Sequence, residues 1–201
     1  MTLSDTVRQL AGDAKIVFDV GAAEGRVAGE YLKMFPRAVV YAFEPTPGLC
    51  RLKSGKRVKV VKKAVLDREG MTSFHINTKH HTNSILPFSR RFKLMKTKWV
   101  IEVPCVTLDG FCARHKIARV DVLKIDVQGV ELQVLRGAEG LFSKGSVGVV
   151  IVELQHAPVY KGQSRRGAVG KFLSRHGFTL KAEYPAHRGD KLIHSNGVFA
   201  R

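Results

Sequence analysis

Ile16-Val-Phe-Asp-Val-Gly-Ala-Ala-Glu-Gly25, followed by Ala42-Phe-Glu-Pro45 with Glu44 standing 19 positions beyond Gly25, is the stretch that decides the fold. The first run is apolar and β-branched up to a glycine turn, so it reads as a buried strand, a tight turn and a helix start. The second run reads as another strand that ends in a carboxylate. That is the layout of a nucleotide-binding βαβ unit, where an acid at the end of the second strand accepts hydrogen bonds from ribose hydroxyls. The glycines are spaced Asp19-x-Gly21-x-x-x-Gly25. The middle glycine that lets a backbone press against a pyrophosphate is missing, so a cofactor with a ribose and no pyrophosphate fits better. S-adenosylmethionine is the leading candidate, and methyl transfer the expected chemistry.

Working outward, Val and Ile runs alternate with helical spacing, which predicts parallel strands covered by helices. Met1 to Lys15 begins with a short helix, an extension covering about residues 1–14. The first strand is Ile16–Val20, with a helix from Gly25 to about Phe35 stopped by Pro36. A strand Ala38–Phe43 leads to a short helix around Pro47–Lys53, a strand Val58–Ala64, a polar turn and an antiparallel strand Thr72–Ile76. Residues 77–100 are irregular and carry His80, His81, Asn83, Ser84 and Trp99. A long loop inside a compact domain is usually functional, and this one is expected to lie over the cofactor or the acceptor. Regularity returns with a strand Ile101–Val106 and a helix Thr107–Lys116, N-capped by Thr107 or Asp109. Strand Val120–Ile125, helix Gly129–Glu139, strand Val147–Val152, helix Arg165–His176 and two closing strands, Phe178–Ala182 and Lys191–Ala200, complete the chain. The fold class predicted is α/β, a single doubly wound Rossmann-like domain over 1–201 with a mostly parallel sheet and an antiparallel closing strand.

The chain has 201 residues and is 44% hydrophobic, enough for one well-buried core. It has no apolar run long enough to span a membrane and no leader peptide pattern. Cys50, Cys105 and Cys112 are an odd number without metal spacing and suggest a reducing, cytoplasmic setting. The charge is lopsided, with 34 Lys and Arg against 17 Asp and Glu. Half of the basic residues fall in three stretches, Arg51–Lys63, Arg90–Lys98 and Lys161–Arg175. Such a field attracts polyanions in a salt-sensitive way. It implies either an anionic acceptor (nucleic acid, a nucleotide-linked sugar, a charged glycan) or a surface tuned for solubility.

Ligands of open α/β sheets bind at the carboxyl ends of the strands. Those ends carry Asp19 and Gly21, then Glu44, then Asp67, then Asp126 and Gln128, then Glu153 and His156. So many carboxylates at one edge exceed what packing requires.

Further runs complete a likeness: Lys63-Ala-Val-Leu-Asp67, Asn83-Ser-Ile-Leu86, Val106-Thr-Leu-Asp109, Val120-Asp-Val-Leu-Lys-Ile-Asp-Val-Gln-Gly-Val-Glu-Leu-Gln-Val-Leu-Arg-Gly-Ala-Glu139, Val150-Ile-Val-Glu153 and Asn196-Gly-Val-Phe199. In order, over about residues 14–200, the chain resembles the FkbM family of S-adenosylmethionine-dependent O-methyltransferases. The resemblance implies a class I methyltransferase fold and methylation of hydroxyls, commonly on sugars or natural products. The acceptor does not carry over, because family members differ in it.

The cofactor side is read as Asp19, Gly21, Ala22, Gly25, Glu44, Pro45, Asp67, Ser84, Asp126 and Gln128. The catalytic side is read as Asp126, Lys124, Glu153 and His156. Transfer from a sulfonium is an in-line displacement, so alignment of the acceptor oxygen matters most, and a base beside it helps. Lys124 and Asp126, two apart on a strand, point to the same side and suit an ion pair. His156 suits a base because imidazole titrates near pH ~6.5. No metal is expected, since no spacing is diagnostic of one.

The expected acceptor is a sugar hydroxyl in a glycan or glycosylated small molecule. RNA ribose 2′-hydroxyls are the alternative that the charge favours. The basic clusters lack interleaved aromatics, however, and the best tetrad for that chemistry is Lys15, Asp126, Lys144 and Glu153. A nicotinamide oxidoreductase is disfavoured by the missing glycine, and a non-catalytic module by the intact strand-end acids.

Overall fold

A computed structural model describes residues 1–90, 95–188 and 191–201. Arg91, Phe92 and Lys93 of the second basic stretch lie outside the described residues. In chain order the elements are α1 (Leu3–Ala11), β1 (Ile16–Val20), α2 (Arg26–Met34), β2 (Val39–Phe43), β3 (Val58–Val61), β4 (Ala64–Val65), β5 (Gly70–Asn77), β6 (Thr97–Val106), α3 (Leu108–His115), β7 (Val120–Ile125), α4 (Glu131–Arg136), α5 (Glu139–Ser143), β8 (Val147–Gln155), α6 (Arg166–Arg175), β9 (Thr179–Arg188) and β10 (Lys191–Ala200). A seven-stranded sheet runs β3-β2-β1-β7-β8-β10-β9, and β10 is antiparallel to both of its neighbours. The strand order reverses between β1 and β7, which are parallel partners, so a crevice opens at their carboxyl ends.

The two faces of the sheet are covered by different helices. On one face Val7 of α1 and Ala28 and Tyr31 of α2 bury Val17, Val40 and Val122. On the other, Phe111 of α3, Leu135 of α4, Phe142 of α5 and Phe172 of α6 bury Phe18, Phe43, Leu123 and Val150. The near-continuous burial of β1, β7 and β8 follows from this two-sided cover. Each fully buried Phe or Leu contributes roughly 1.5–3 kcal/mol. No helix among the described residues is long and apolar enough to cross a membrane.

Three predicted elements come out differently. Pro47–Lys53 is a turn, with Gly48 at φ +71° ending it before a helix can propagate. The expected strand Val58–Ala64 divides: the chain leaves the main sheet after Val61, and Ala64–Val65 joins a second sheet of order β4-β6-β5. The expected helix Gly129–Glu139 is also two pieces, α4 and α5. A Cβ at Gly137, between them, would stand 2.0 Å from the Leu66 carbonyl oxygen, so the break is where two segments pack backbone to backbone. Asp109 caps the second piece by accepting from the Gly140 and Leu141 amides. Thr107 caps α3, accepting from Gly110 N.

The second sheet also takes in part of the segment expected to be irregular. β6 begins at Thr97, and a single 3₁₀ turn spans His80–Thr82. Phe74 and Val103 pack with Val130 beneath it, which sets this sheet over the crevice.

Candidate active site

A cavity of about 400 Å³ opens at the carboxyl edge of the main sheet, within the range usual for cofactor and small-molecule sites. One end is made of backbone. The chain after β1 turns back on itself: Gly21 N and Ala22 N both donate to Phe43 O, at 3.0 and 2.9 Å. Gly21 has φ +84°, and a Cβ there would stand 1.8 Å from Asp126 O, so only glycine fits this close approach of two strand ends. Gly25, at φ +88°, is the N-cap of α2. Glu44 follows β2, is buried and lines the cavity. It accepts from Ala23 N and Thr46 N, both at 2.8 Å. Burial raises its pKa, and those hydrogen bonds oppose the rise. Each carboxylate oxygen keeps a lone pair for a ligand hydroxyl. A glycine cradle with no room for a Cβ and a carboxylate at the ribose position together fit S-adenosylmethionine.

The other end is made of side chains. Gln128 Nε2 donates to Asp126 Oδ1 and to Glu153 Oε2, each at 2.8 Å. Gln155 Nε2 donates to the same Glu153 oxygen, and His194 Nδ1 lies 3.5 Å from Glu153 Oε1. Tyr160 places its hydroxyl 2.9 Å from Thr82 O and 3.0 Å from Gln128 Oε1, two acceptors for its one proton. Gln128 sits at φ +59°, a left-handed conformation that costs a non-glycine residue about 1–3 kcal/mol. Ser84 holds it there by donating from Oγ to Gln128 O at 2.6 Å.

Burial pushes Glu153 well above the usual carboxylate range, with Asp126 and Glu131 adding to the rise. Glu131, fully buried behind the cavity wall, is pushed up to about 7 by burial, against a hydrogen bond from Gly129 N. His194 is lowered by burial, opposed by Asp126. A carboxyl shifted up beside an imidazole shifted down is not a fixed ion pair, because burial disfavours the charge on each.

The expected site residues divide into those the fold brings together and those it sets aside. Gly21, Glu44, Pro45, Asp126, Gln128 and Glu153 line the cavity. Ala22 does not, because its side chain packs into the core on the α1–α2 face, and Ala23 lines the wall instead. Asp67 is exposed on the turn before β5, away from the cavity, because the chain crosses to the second sheet at Ala64. Ser84 is fully buried and acts on Gln128, while its neighbour Asn83 lines the cavity.

Asp19 and Lys124 are register partners on β1 and β7 and lie beneath the floor. The Lys124 ammonium stands 3.1 Å from Asp19 Oδ1 and 3.4 Å from Asp126 Oδ2. Burial would lower the Lys124 pKa, but the two carboxylates more than offset it and raise it. Lys124 therefore stays charged and cannot take a proton, so the catalytic role expected of it gives way to holding Asp126. Asp19 is wholly buried, and its partner is the Lys124 ammonium rather than anything in the cavity.

His156 is corrected by strand parity. Glu153 and Gln155 are two apart and share a face, whereas His156 is one residue out of phase. Its Nε2 instead meets Ser195 Oγ at 2.9 Å and Glu183 Oε1 at 3.5 Å. His194, register partner of Gln155 across β8–β10, is the histidine in the cavity. Tyr160, His194 and Gln155 were missed for want of any local motif; only the antiparallel register of β10 brings His194 to Glu153. The tetrad considered for RNA does not assemble. Lys15 pairs with Asp13, Lys144 is exposed at the end of α5, and neither lines the cavity.

Comparison with known proteins agrees with this geometry. The model of the methyltransferase FkbM domain matches residues 19–180. A relative from Sinorhizobium fredii, the 2-O-methyltransferase NoeI, is 27% identical, the match covering 89% of this chain and 78% of that protein. Among solved structures, magnesium protoporphyrin IX methyltransferase from Synechocystis with bound S-adenosylmethionine superposes with a TM-score of 0.53 at 11% identity, over 98% of this chain and 79% of that one. A putative tRNA (m1A22) methyltransferase from Streptococcus pneumoniae, also with S-adenosylmethionine, gives 0.52 at 15% identity, over 98% and 71%. Those two likenesses speak to the fold, which is that of class I methyltransferases. With its glycine cradle, its buried Glu44 and a family match over most of its length, this chain belongs to the FkbM family of S-adenosylmethionine-dependent methyltransferases.

Proposed function

We propose that the protein is an O-methyltransferase whose acceptor is a sugar hydroxyl, in a glycan or a glycosylated small molecule. The observation that carries this reading is the His194 end of the cavity, where two amides, two carboxylates, a phenol and an imidazole converge. Such a surface offers both donors and acceptors, which is what a polyol requires and an apolar substrate does not. The 2-O-methyltransferase relative supports hydroxyl methylation by likeness.

Bound S-adenosylmethionine supplies an electrophilic methyl group on a sulfonium. The chain's own work is to fix that cofactor, align the acceptor and remove a proton. Gly21, Ala23 and Glu44 are assigned to the cofactor, with Pro45 and Asn83 beside them. Gln128, held in its strained conformation, and Gln155 are assigned to orienting the acceptor oxygen. His194 is assigned as the base. Its ring is kept neutral by burial, and with Glu153 Oε1 accepting from Nδ1–H the Nε2 is left to take a proton from the acceptor hydroxyl. The 3.5 Å contact is longer than a hydrogen bond and is expected to tighten when substrate closes the site.

The test has two parts. Calorimetric titration with S-adenosylhomocysteine should show micromolar binding that Glu44→Ala abolishes. Transfer of a labelled methyl group should then be followed against a panel of oligosaccharides, hydroxylated aglycones and RNA oligomers. Label in an alkali-stable sugar ether supports the proposal; label in RNA, or on nitrogen, sinks it.

A further inference from the structure

Of the seven basic residues between Arg51 and Lys63, two are spent on the fold. Arg57 donates to the carbonyl oxygens of Leu32 and Phe35 at the end of α2 and to Ala38, and Arg51 pairs with Glu24. Lys59, Lys62 and Lys63 have no carboxylate within ion-pair distance among the described residues. All three line a groove of about 660 Å³ on the flank of the molecule, between edge strand β3 and α3. Arg114, itself paired with Glu69 at 2.9 Å, and His115 of α3 form the opposite wall, and no carboxylate lines the groove. Lys63 also lines the active-site cavity, so the groove and the cavity share a wall.

Lysines on an edge strand keep it from pairing with another sheet. That accounts for Lys59, but not for Lys62 and Lys63, which follow Val61, the last paired residue of β3. Three neighbouring lysines without carboxylate partners repel one another and stabilise nothing by themselves. They are suited to a ligand carrying several negative charges.

We propose that this groove is an exosite for the anionic portion of the acceptor, an acidic saccharide chain carrying carboxylate, sulfate or phosphate groups. The assignment of a saccharide rests on the O-methyltransferase reading above. Nucleic acid fits the groove less well. Its carbocyclic rings, Tyr41 and Phe111, pack edge to face against each other with centroids 5.6 Å apart, Phe111 is buried, and His115 lies against Phe111 with centroids 4.2 Å apart. They offer no series of free rings on which successive bases can stack.

Isothermal titration of the full chain with a heparin-derived hexasaccharide tests the proposal, with maltohexaose and hexauridylate alongside. The sulfated hexasaccharide is expected to bind with an affinity that falls with salt, and maltohexaose not to bind. Lys59→Glu/Lys62→Glu should weaken binding about tenfold or more, with Lys59→Gln/Lys62→Gln intermediate. A matched reversal far from the groove, Lys171→Glu/Lys181→Glu, should change it by less than about twofold. Affinity for S-adenosylhomocysteine should be the same in all variants, which also reports that each is folded. Equal loss in the two reversed pairs would mean a diffuse field and overturn the exosite, as would no binding by the wild type. Tighter binding of hexauridylate would overturn the saccharide. Failure of wild type to bind S-adenosylhomocysteine would sink the methyltransferase site while leaving the groove result standing.

Discussion

At the glycine-loop end of the cavity position is set by backbone, and at the His194 end it is set by side chains. Gly21, Ala22 and Ala23 are placed by amide hydrogen bonds to Phe43 O and Glu44 within one βαβ unit. Glu153 and Gln155 of β8, His194 of β10, Gln128 after β7 and Tyr160 after β8 hold one another. The first arrangement is rigid and tolerates no added atom. The second is a hydrogen-bond network over a carboxylate cluster, with Lys124 as the buried cation beneath it. A site that holds one cofactor benefits from the first; a site that must fit a particular acceptor can be re-cut through the second without disturbing the fold.

The sharpest way to break the comparison is Gly21→Ala. Its Cβ would meet Asp126 O at 1.8 Å with φ positive, so a loss of more than about 4 kcal/mol in urea denaturation and of all S-adenosylhomocysteine binding is expected. A stable, binding-competent variant would show that the backbone end is not rigid.

His194→Gln should act only on the other end. Methyl transfer should fall roughly 10²–10⁴-fold with cofactor affinity intact, and His156→Gln should do neither. Because burial lowers the His194 pKa, the acid limb of the rate profile should lie below the usual imidazole value.

Lys124→Met probes what lies beneath both ends. It leaves Asp19 buried without its partner and should cost about 3–5 kcal/mol, partly recovered by Asp19→Asn in the same chain. Its pKa is raised, so the contribution is complete below the unfolded lysine value and constant between pH 6 and 9, where both states hold the proton.

The smallest effect is a pH slope. Burial pushes Glu131 up to about 7 in the fold, above the 4.5 of an ordinary glutamate, so between those values the native state holds a proton that the unfolded chain has lost. Stability therefore falls as pH rises through this window, by about 3 kcal/mol. Glu131→Gln should flatten the slope and be the more stable protein at pH 8. Glu153, raised in the same direction, should leave a remainder.

The glycine-loop end was legible in the chain because its parts are local: a strand, a turn and a carboxylate at fixed spacing within one βαβ unit. Asp126, Gln128 and Glu153 were legible as strand ends. His156 was singled out because it follows a strand end and imidazole titrates near neutrality, but neither fact says which face of a strand a residue takes. Ser84 and Lys124 were found but given the wrong work, since a hydroxyl or an amine looks the same in sequence whether it meets a ligand or props up a neighbour.

By itself, then, the amino-acid order determined the α/β class, the mostly parallel sheet, the Gly21 turn, the strand-end Glu44 and the kinship with FkbM methyltransferases. Hydrophobic period and steric demand on glycine act over short stretches, and composition records them. Tertiary structure alone decided that β4 leaves the main sheet, that Asp67 lies outside the cavity, that Lys124 is locked between two acids and that His194 meets Glu153. Those outcomes depend on register between distant strands and on the low dielectric of a filled interior, which no single stretch of sequence carries.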